Sequence, residues 1–501
     1  MGVVIRQSFK ATVISYIGAV LGYINLLFLY PLCLTPELIG FTRLIVEIAT
    51  LLAWFSQLGI SNAIVRFFPL FNNVQKRHNG FLFYITTLPF IGFIIFGIVI
   101  IVFKSAIIHY FNSDSNLIYT YFYYVLPIAF FIIYSSVTEA YSSVLMRIVV
   151  PRIAKEVVLR IVIMIVILLY HFKYIDQNKL IVGFTLAYGS ATCVNLFYIL
   201  KIQLSSFTPS SEVLTRKTSK SIVSYLLYIL LTGLGGNVVS KIDIFMVSSK
   251  LNLRETGIFS LAFFMAMVIE LPSRSLLQIL SPITSKAIAD NDNERLNQLY
   301  KKSSTNQMLL TTFVFVLLWI NIDNVFKIMP NGYLYQSGVW VMFFIGLSKV
   351  FDAATGINIV IINNSKYYYF GLFVVFFLAT NAIVLNYYLI PMYGITGAAI
   401  TTASSILLSN ILYVIFVWTK FRIHPFTLAT LKTICLMLVV LTLNFYVLPC
   451  LNNPIFDLLV RGVVSGTILL FISYYWNIST DFNAVLLKIV KMRSLKQIQG
   501  L

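Results

Sequence analysis

The sequence predicts an all-α integral membrane protein with about 14 transmembrane helices. Of its 501 residues, 59% are hydrophobic and 11% are charged, and the mean hydropathy is +0.89. Soluble domains carry about 25% charged residues, so a water-soluble fold is excluded. Apolar runs of about 20 residues recur along the chain, and each can cross a hydrocarbon core of roughly 30 Å as a helix. The runs are apolar on all faces, whereas the strands of a membrane barrel would alternate apolar and polar residues.

The first run follows Arg6 and Lys10 and extends over residues 11–34. It is too long for the core of a signal peptide and lacks a small-residue cleavage site, so we interpret it as an uncleaved first helix. The predicted helices are 11–34, 40–65, 80–103, 117–140, 157–170, 180–200, 221–248, 256–282, 308–329, 337–361, 366–386, 396–419, 429–448 and 455–476.

The net charge of +19 is explained by membrane topology. Nucleic-acid binding would need the cations to cluster on a soluble module, and the sequence contains none. With the N-terminus in the cytoplasm, 25 of the 36 Lys and Arg residues fall in cytoplasmic tails and loops and six on the opposite side. The positive-inside rule therefore predicts that both termini are cytoplasmic.

Five cations remain at membrane depth: Arg43, Lys241, Arg274, Lys349 and Arg461. Each would cost about 2.5–3.5 kcal/mol at a helix centre, so each should face a partner or a cavity. Helical spacing predicts four pairs, Arg43 with Glu47, Arg274 with Glu270, Arg461 with Asp457 and Lys349 with Asp352. Lys241 and Asp243 are two residues apart and cannot face each other, so each needs another partner.

Two interpretations of these charges stay open. They could be ion pairs that hold helices together, or they could line a hydrated cavity. We favour the cavity for the set, because buried pairs seldom stabilise a fold more than apolar packing would. Arg461 lies outside the main repeat and is interpreted as structural. The four cysteines show no paired spacing and the four histidines fall in or near loops, so neither a metal site nor a disulfide framework is expected.

The segment SKIDIFMVSSKLNLRETGIFSLAFFMAMVIELPSRSLLQILSPITSKAIA, residues 240–289, resembles a known transporter family. The resemblance rests on Lys241-Ile242-Asp243, on Gly257 and on Pro272, with similar stretches at 34–44, 57–71 and 391–405. The family is the polysaccharide-export, O-antigen flippase-like branch of the multidrug/oligosaccharidyl-lipid/polysaccharide (MOP) flippase superfamily. The resemblance implies two six-helix lobes around a central cavity, followed here by two further helices.

Two short internal matches agree with such a duplication. Gly40 and Gly257 open the second and eighth helices, 217 residues apart, and Asn195-Leu196-Phe197-Tyr198 resembles Asn410-Ile411-Leu412-Tyr413 at an offset of 215. The predicted organisation is a first lobe at 1–205, a cytoplasmic linker at 206–220, a second lobe at 221–420 and two helices with a basic tail at 421–501.

The resemblance implies a flippase, and not an enzyme, that moves a lipid-linked oligosaccharide across a bacterial inner membrane without a cofactor. Its partners would be this substrate, membrane lipids, and a glycan polymerase or other polysaccharide-assembly proteins. Arg43, Lys241, Arg274 and Lys349 are the candidates for binding the diphosphate and sugars, since guanidinium and ammonium groups suit phosphate oxygens. Glu47, Asp243, Glu270 and Asp352 would balance charge or carry coupling ions.

Two alternatives remain. A cation-coupled drug or metabolite exporter of the same superfamily would have the same architecture, although its usual first-helix acid is missing from residues 11–34. A membrane-embedded glycan polymerase or ligase would be expected to carry a large external loop with catalytic residues. The longest loop here, about 283–307, is short and predicted to be cytoplasmic.

Overall fold

The computed structural model describes residues 2–71, 73, 77–111, 116–202, 215–239, 241–448, 451–484 and 487. These residues form helices and connecting turns, with no β-strand among them. The chain divides into two compact units, residues 1–260 and 261–501. The all-α membrane architecture predicted from the sequence is confirmed.

The first unit consists of helices that surround α3 and α8. Its helices are α1 (Gly2–Ile24), α2 (Tyr30–Cys33), α3 (Pro36–Ser56), α4 (Ile60–Phe71), α5 (Phe81–Val102), α6 (Lys104–Tyr110), α7 (Asn116–Tyr121), α8 (Val125–Val144), α9 (Val149–Ile153), α10 (Leu159–His171), α11 (Gln177–Ile202), α12 (Arg216–Val239) and α13 (Ile242–Lys250). Two π-helical segments, Asn25–Leu29 and Ala154–Val158, join α1 to α2 and α9 to α10.

The helix α14 (Leu253–Met267) crosses the division between the units. The second unit then packs α16, α18 and α21 side by side, and α20 lies along α21. Its helices are α15 (Leu271–Ala289), α16 (Asn293–Trp319), α17 (Ile322–Ile328), α18 (Val339–Ala354), α19 (Asn358–Asn363), α20 (Tyr369–Tyr393), α21 (Ile395–Phe421), α22 (Leu428–Tyr446) and α23 (Pro454–Tyr475).

Among the described residues, 11 helical stretches are long and apolar enough to cross a membrane, and the pair α16–α17, bent by 55°, makes a twelfth if it is counted as one span. The other two predicted helices, the fifth and the seventh, are helical but differ from the prediction. The fifth is continuous from Val149 to His171 and therefore begins eight residues before the predicted start at 157. The charged residues of its first half hid this extension in the sequence. The seventh is divided into α12 and α13.

Large apolar side chains are exposed along several of these helices. Ile98 on α5, Phe373 on α20 and Phe471 on α23 are 56%, 59% and 67% exposed. Water would disfavour apolar surface of this extent, whereas lipid tails solvate it. The protein is therefore a multi-pass membrane protein whose outward apolar faces meet lipid.

A close contact between α3 and α14 lies within the first unit. A side chain at Gly40 would collide with the Leu253 carbonyl oxygen and the Gly257 nitrogen, and one at Gly257 would collide with the Pro36 carbonyl oxygen and the Gly40 nitrogen. Pro36 and Leu253 are 217 positions apart, as are Gly40 and Gly257. The contact is thus reciprocal between two pairs of residues with the same separation along the chain.

The lobe boundaries at 205 and 221 stay a prediction. Residues 206–214 of the predicted linker lie outside the described residues, and α12 begins at Arg216. The first compact unit ends at Ser260 because α12 packs against α3 and α4, and α13 packs against α3.

Candidate functional site

The first charge cluster consists of Arg43, Glu47 and Lys241. Helix α3 begins at the Thr35 cap and Pro36, which places Arg43 and Glu47 on one face, one turn apart. Glu47 is 1% exposed, and its two carboxylate oxygens form ion pairs with Arg43 Nη2 and Lys241 Nζ. The predicted Arg43–Glu47 pair is therefore present, and Glu47 is also the partner that Lys241 needed.

Lys241 does not lie late in a continuous seventh helix, as the sequence analysis expected. It occupies the N-cap position of α13, after α12 has ended at Val239. From this position the Lys241 side chain reaches Glu47 on α3. Asp243 lies in the first turn of α13 and is partly buried.

The second charge cluster consists of Glu270, Arg274 and Lys349. A 3₁₀ turn at Val268–Glu270 precedes α15, whose second residue is Pro272, so the predicted break at this proline is present. Arg274 Nε donates to Glu270 Oε1 at 2.7 Å, and Lys349 Nζ on α18 lies 2.7 Å from Glu270 Oε2. The predicted Arg274–Glu270 pair is present.

Lys349 forms its close ion pair with Glu270, and Asp352, its predicted partner, interacts with it electrostatically. Packing of the Val268–Glu270 turn against α18 brings Glu270 to Lys349, while Asp352 Oδ1 accepts a hydrogen bond from Asn410 Nδ2 at 2.9 Å. Asn410 Oδ1 accepts in turn from Thr355 Oγ1 at 2.6 Å and from Asn358 Nδ2 at 2.9 Å. Sequence spacing could not show this group, because its members come from α18, α19 and α21.

In both clusters, one glutamate lies between two cations. One cation is an arginine four residues away in the chain, and the other is a lysine from a distant part of the chain. The three charged groups carry a net formal charge of +1 in each cluster. The glutamates are largely buried, but Arg274 is 52% exposed, and the Arg43 and Lys241 side chains are 25% and 21% exposed. Each cluster can therefore offer a planar guanidinium and an ammonium group to an anion.

Arg461 is structural by its contacts. Its guanidinium donates to Asp457 Oδ2 at 2.8 Å and to Asn444 Oδ1 at 2.6 Å, and Arg461 is 7% exposed. Asn324 Nδ2 on α17 donates to the same Asp457 oxygen at 2.6 Å. This network connects α22 and α23 to α17. Both charged groups of the Arg461–Asp457 pair are also bonded to other protein groups.

A further arginine with partly buried partners was missed. Arg160 was assigned to a cytoplasmic loop, but it lies in the first turn of α10, where Nη2 is 2.7 Å from Glu156 Oε2 and Nη1 donates to the Gly18 carbonyl oxygen. The spacing of Glu156 and Arg160 by four residues was the available signal.

Several solved structures share the architecture of this chain. The lipid II flippase MurJ in an inward closed conformation aligns with a TM-score of 0.69 at 14% identity, over 94% of this chain and 99% of MurJ. The chain has the MOP-transporter fold. An inward-facing multidrug resistance MATE family transporter of the MOP superfamily aligns with a TM-score of 0.60 at 14% identity, over 81% and 94% of the two chains.

A variant of the MATE transporter VcmN from Vibrio cholerae shows the same MOP-transporter fold, with a TM-score of 0.54 at 12% identity over 84% and 98%. No protein-family model and no curated protein sequence matches the chain. At such low identities the likeness concerns the fold alone. The chemistry of the site is therefore argued from this chain's own residues.

Proposed function

We propose that this protein is a flippase that moves a polyprenyl-diphosphate-linked oligosaccharide from the cytoplasmic to the outer leaflet by alternating access, for cell-surface polysaccharide biosynthesis. The observation that carries the proposal is the pair of Arg–Glu–Lys clusters, in each of which two cations share one glutamate, in a chain with a transporter fold. The apolar tail of such a lipid is stable in the bilayer, but its charged head needs a polar, cationic path to cross it.

Each charged side chain would have a role that follows from its chemistry. Arg43 and Arg274 would bind diphosphate oxygens through two parallel N–H groups, and Lys241 and Lys349 would add point charges. Glu47 and Glu270 hold these cations in place and reduce the net charge of the empty clusters. Asp243 and Asp352 would balance charge or carry a coupling ion.

The second candidate is a cation-coupled exporter of drugs or metabolites, which the likeness to two MATE transporters supports at the level of fold. An organic cation needs a carboxylate that is not already neutralised. Glu47 and Glu270 each contact two cations of their own cluster, so these clusters suit an anionic ligand better. This difference in charge favours the lipid diphosphate.

In the same proposal, the protein resides in a bacterial inner membrane with both termini in the cytoplasm. Its partners would be the lipid-linked oligosaccharide, the surrounding lipids, and a glycan polymerase or other polysaccharide-assembly proteins. Neither a cofactor nor enzymatic chemistry is needed, because translocation makes and breaks no covalent bond.

The test reconstitutes the purified protein into vesicles with a fluorescent lipid-linked oligosaccharide and measures movement of the headgroup between leaflets. Wild-type protein should raise the rate above that of protein-free vesicles, and Arg274→Ala should abolish the gain while the protein stays folded and inserted. Arg254→Ala is the matched control, because Arg254 is also 52% exposed but pairs only loosely with Glu37, at 3.9 Å.

Three results would count against the proposal. One is a folded, inserted wild-type protein that moves no labelled lipid. Another is normal transport by Arg274→Ala, which would make the second cluster a structural ion-pair group. The third is transport of a labelled organic cation in place of the lipid, which would establish the exporter.

A further inference from the structure

A polar cavity of about 260 Å³ lies inside the first unit, apart from the charge clusters. It is enclosed by α3, α8, α11 and the segment that joins α9 to α10, and its lining includes Trp54, Gln57, Ser136, Glu139 and Tyr188. Pockets for drug-sized ligands typically measure roughly 300–1,000 Å³. This cavity therefore suits a smaller ligand, about the size of one sugar ring.

The polar wall of the cavity is held in a fixed geometry. Gln57 Oε1 accepts hydrogen bonds from Ser61 Oγ at 2.8 Å and from Ser136 Oγ at 3.3 Å, and the two serine hydroxyls are 2.9 Å apart. Because both serines hold the oxygen of the Gln57 amide, its NH₂ group is the end left to donate to a ligand. A preorganised amide of this kind is suited to a hydroxyl or acetamido oxygen.

The charges of the cavity balance. Glu139 Oε2 lies 3.1 Å from Lys155 Nζ, so the one carboxylate in the lining is paired with its one ammonium group. A diphosphate would need net positive charge here, and an organic cation would need an unpaired carboxylate. The balance favours a neutral ligand with many hydroxyl groups.

Aromatic side chains complete the lining. Trp54 and Tyr188 combine a flat apolar body with a polar group, and Phe131 adds a further ring. A sugar ring has the complementary character, since its C–H groups can pack on an aromatic face while its hydroxyls bond to polar groups around the edge. The cavity presents both kinds of surface together.

The face of α3 that lines the cavity also carries two residues of the first charge cluster. Arg43, Glu47, Thr50, Trp54 and Gln57 follow one another at intervals of four and three residues, which places them along one face of the helix. Tyr188 on α11 lines the cavity from the opposite wall. At about 1.5 Å per residue, Trp54 lies about 10 Å along α3 from Glu47.

We infer that this cavity is a subsite for one neutral sugar ring of the lipid-linked glycan, with its diphosphate held at the first charge cluster. The inference rests on the proposed function. It adds that residues of this cavity distinguish a lipid that carries a sugar from the same lipid without one. Trp54 would stack on the ring, and the Gln57 amide would donate to it.

The test measures binding of two probes to the purified full-length protein, polyprenyl diphosphate N-acetylglucosamine and polyprenyl diphosphate without a sugar. Wild-type protein should bind the sugar-bearing lipid more tightly. Trp54→Ala and Gln57→Ala should each weaken binding of that lipid about tenfold and leave the affinity for the bare lipid unchanged. Retained affinity for the bare lipid also reports that the variants are folded.

Trp418→Ala is the control, because Trp418 is 55% exposed on α21 and lies outside the cavity; it should change neither affinity. The inference is overturned if wild-type protein binds both lipids equally, or if the Trp54 and Gln57 variants keep the preference for the sugar-bearing lipid or lose affinity for both probes alike. In each of these cases the proposed flippase function would survive. If wild-type protein binds neither lipid, the proposed function and the inference both fail.

Discussion

At the scale of single residues, the notable feature is a glutamate that two cations share. Glu47 is almost fully buried and reaches Arg43 on its own helix and Lys241 from beyond the break between α12 and α13. The attraction between buried charges offsets their loss of hydration only while all partners are present. The carboxylate is therefore the member whose removal should cost the fold most.

We predict that Glu47→Gln lowers the free energy of unfolding by about 3–5 kcal/mol, because it leaves two cations close together without the negative charge between them. The variant keeps the size of the side chain, so the loss reports on charge. The measurement is thermal or denaturant unfolding in detergent. Glu37→Gln is the control, since Glu37 is 45% exposed and 3.9 Å from Arg254, and it should change stability by less than about 1 kcal/mol. Equal effects of the two substitutions would contradict the prediction.

The sequence predicted the ion pairs that lie within one helix and missed those that depend on packing. Arg43–Glu47 and Arg461–Asp457 follow from the four-residue spacing, which brings side chains together on any helix. Lys241–Glu47 and Lys349–Glu270 join residues 194 and 79 positions apart. No local pattern specifies such contacts, and the spacing rule gave Lys349 only Asp352 as a partner and missed Glu270.

At the scale of elements, α3 and α14 approach each other at a point where both helices carry glycine. Each glycine faces backbone atoms of the other helix. Membrane helices gain much of their association energy from such close packing, because lipid supplies little hydrophobic force between them. Backbone atoms cannot rotate aside as a side chain can, so an added methyl group must push the helices apart.

We therefore predict that Gly40→Ala lowers the stability by about 1–3 kcal/mol, measured as a drop in the unfolding midpoint in detergent. Gly257→Ala should have a similar effect, since the contact is reciprocal. Gly462→Ala on α23 is the control: no neighbouring atom lies within 4 Å of the new methyl group, so stability should change by less than about 0.5 kcal/mol. A Gly40 variant as stable as the Gly462 variant would show that the helices can separate without cost.

Helix boundaries were predictable where the apolar runs end cleanly. The predicted helices 80–103 and 455–476 correspond to Phe81–Val102 and Pro454–Tyr475. The fifth helix was predicted too short because Arg152, Lys155 and Glu156 interrupt its hydropathy while the backbone stays helical. The start of a separate helix after Lys241 was missed, because the predicted helix continued through this residue.

At the scale of the whole molecule, the length of the apolar runs alone predicted the fold class, because a bilayer accepts few architectures. The sequence resemblance to a transporter family rested on short motifs. The likeness to MurJ and MATE structures agrees with it at the level of fold. Sequence could not show how the charged residues combine, since each cluster draws on more than one helix. Orientation in the membrane is a further molecular property that the charges predict and that labelling can test.

The structure places Arg160 within α10, yet the predicted cytoplasmic face still carries most of the cations. Moving the chain to the opposite orientation would send these positive loops across the bilayer, which the insertion machinery disfavours. We therefore predict that the turn before α16 is cytoplasmic and that the loop between α10 and α11 is external. Tyr174 in that loop is 75% exposed, and Asn291 in the turn is also exposed.

The measurement uses a chain in which serine replaces all four cysteines, with either Tyr174→Cys or Asn291→Cys added, and a maleimide that cannot cross the membrane. Tyr174→Cys should be labelled in intact cells, and Asn291→Cys should be labelled only after the membrane is opened. The two positions flank different helices, so one misplaced loop cannot produce both results. If only Asn291→Cys were labelled in intact cells, the orientation would be the opposite of the predicted one. The proposed substrate would then be carried in the opposite direction.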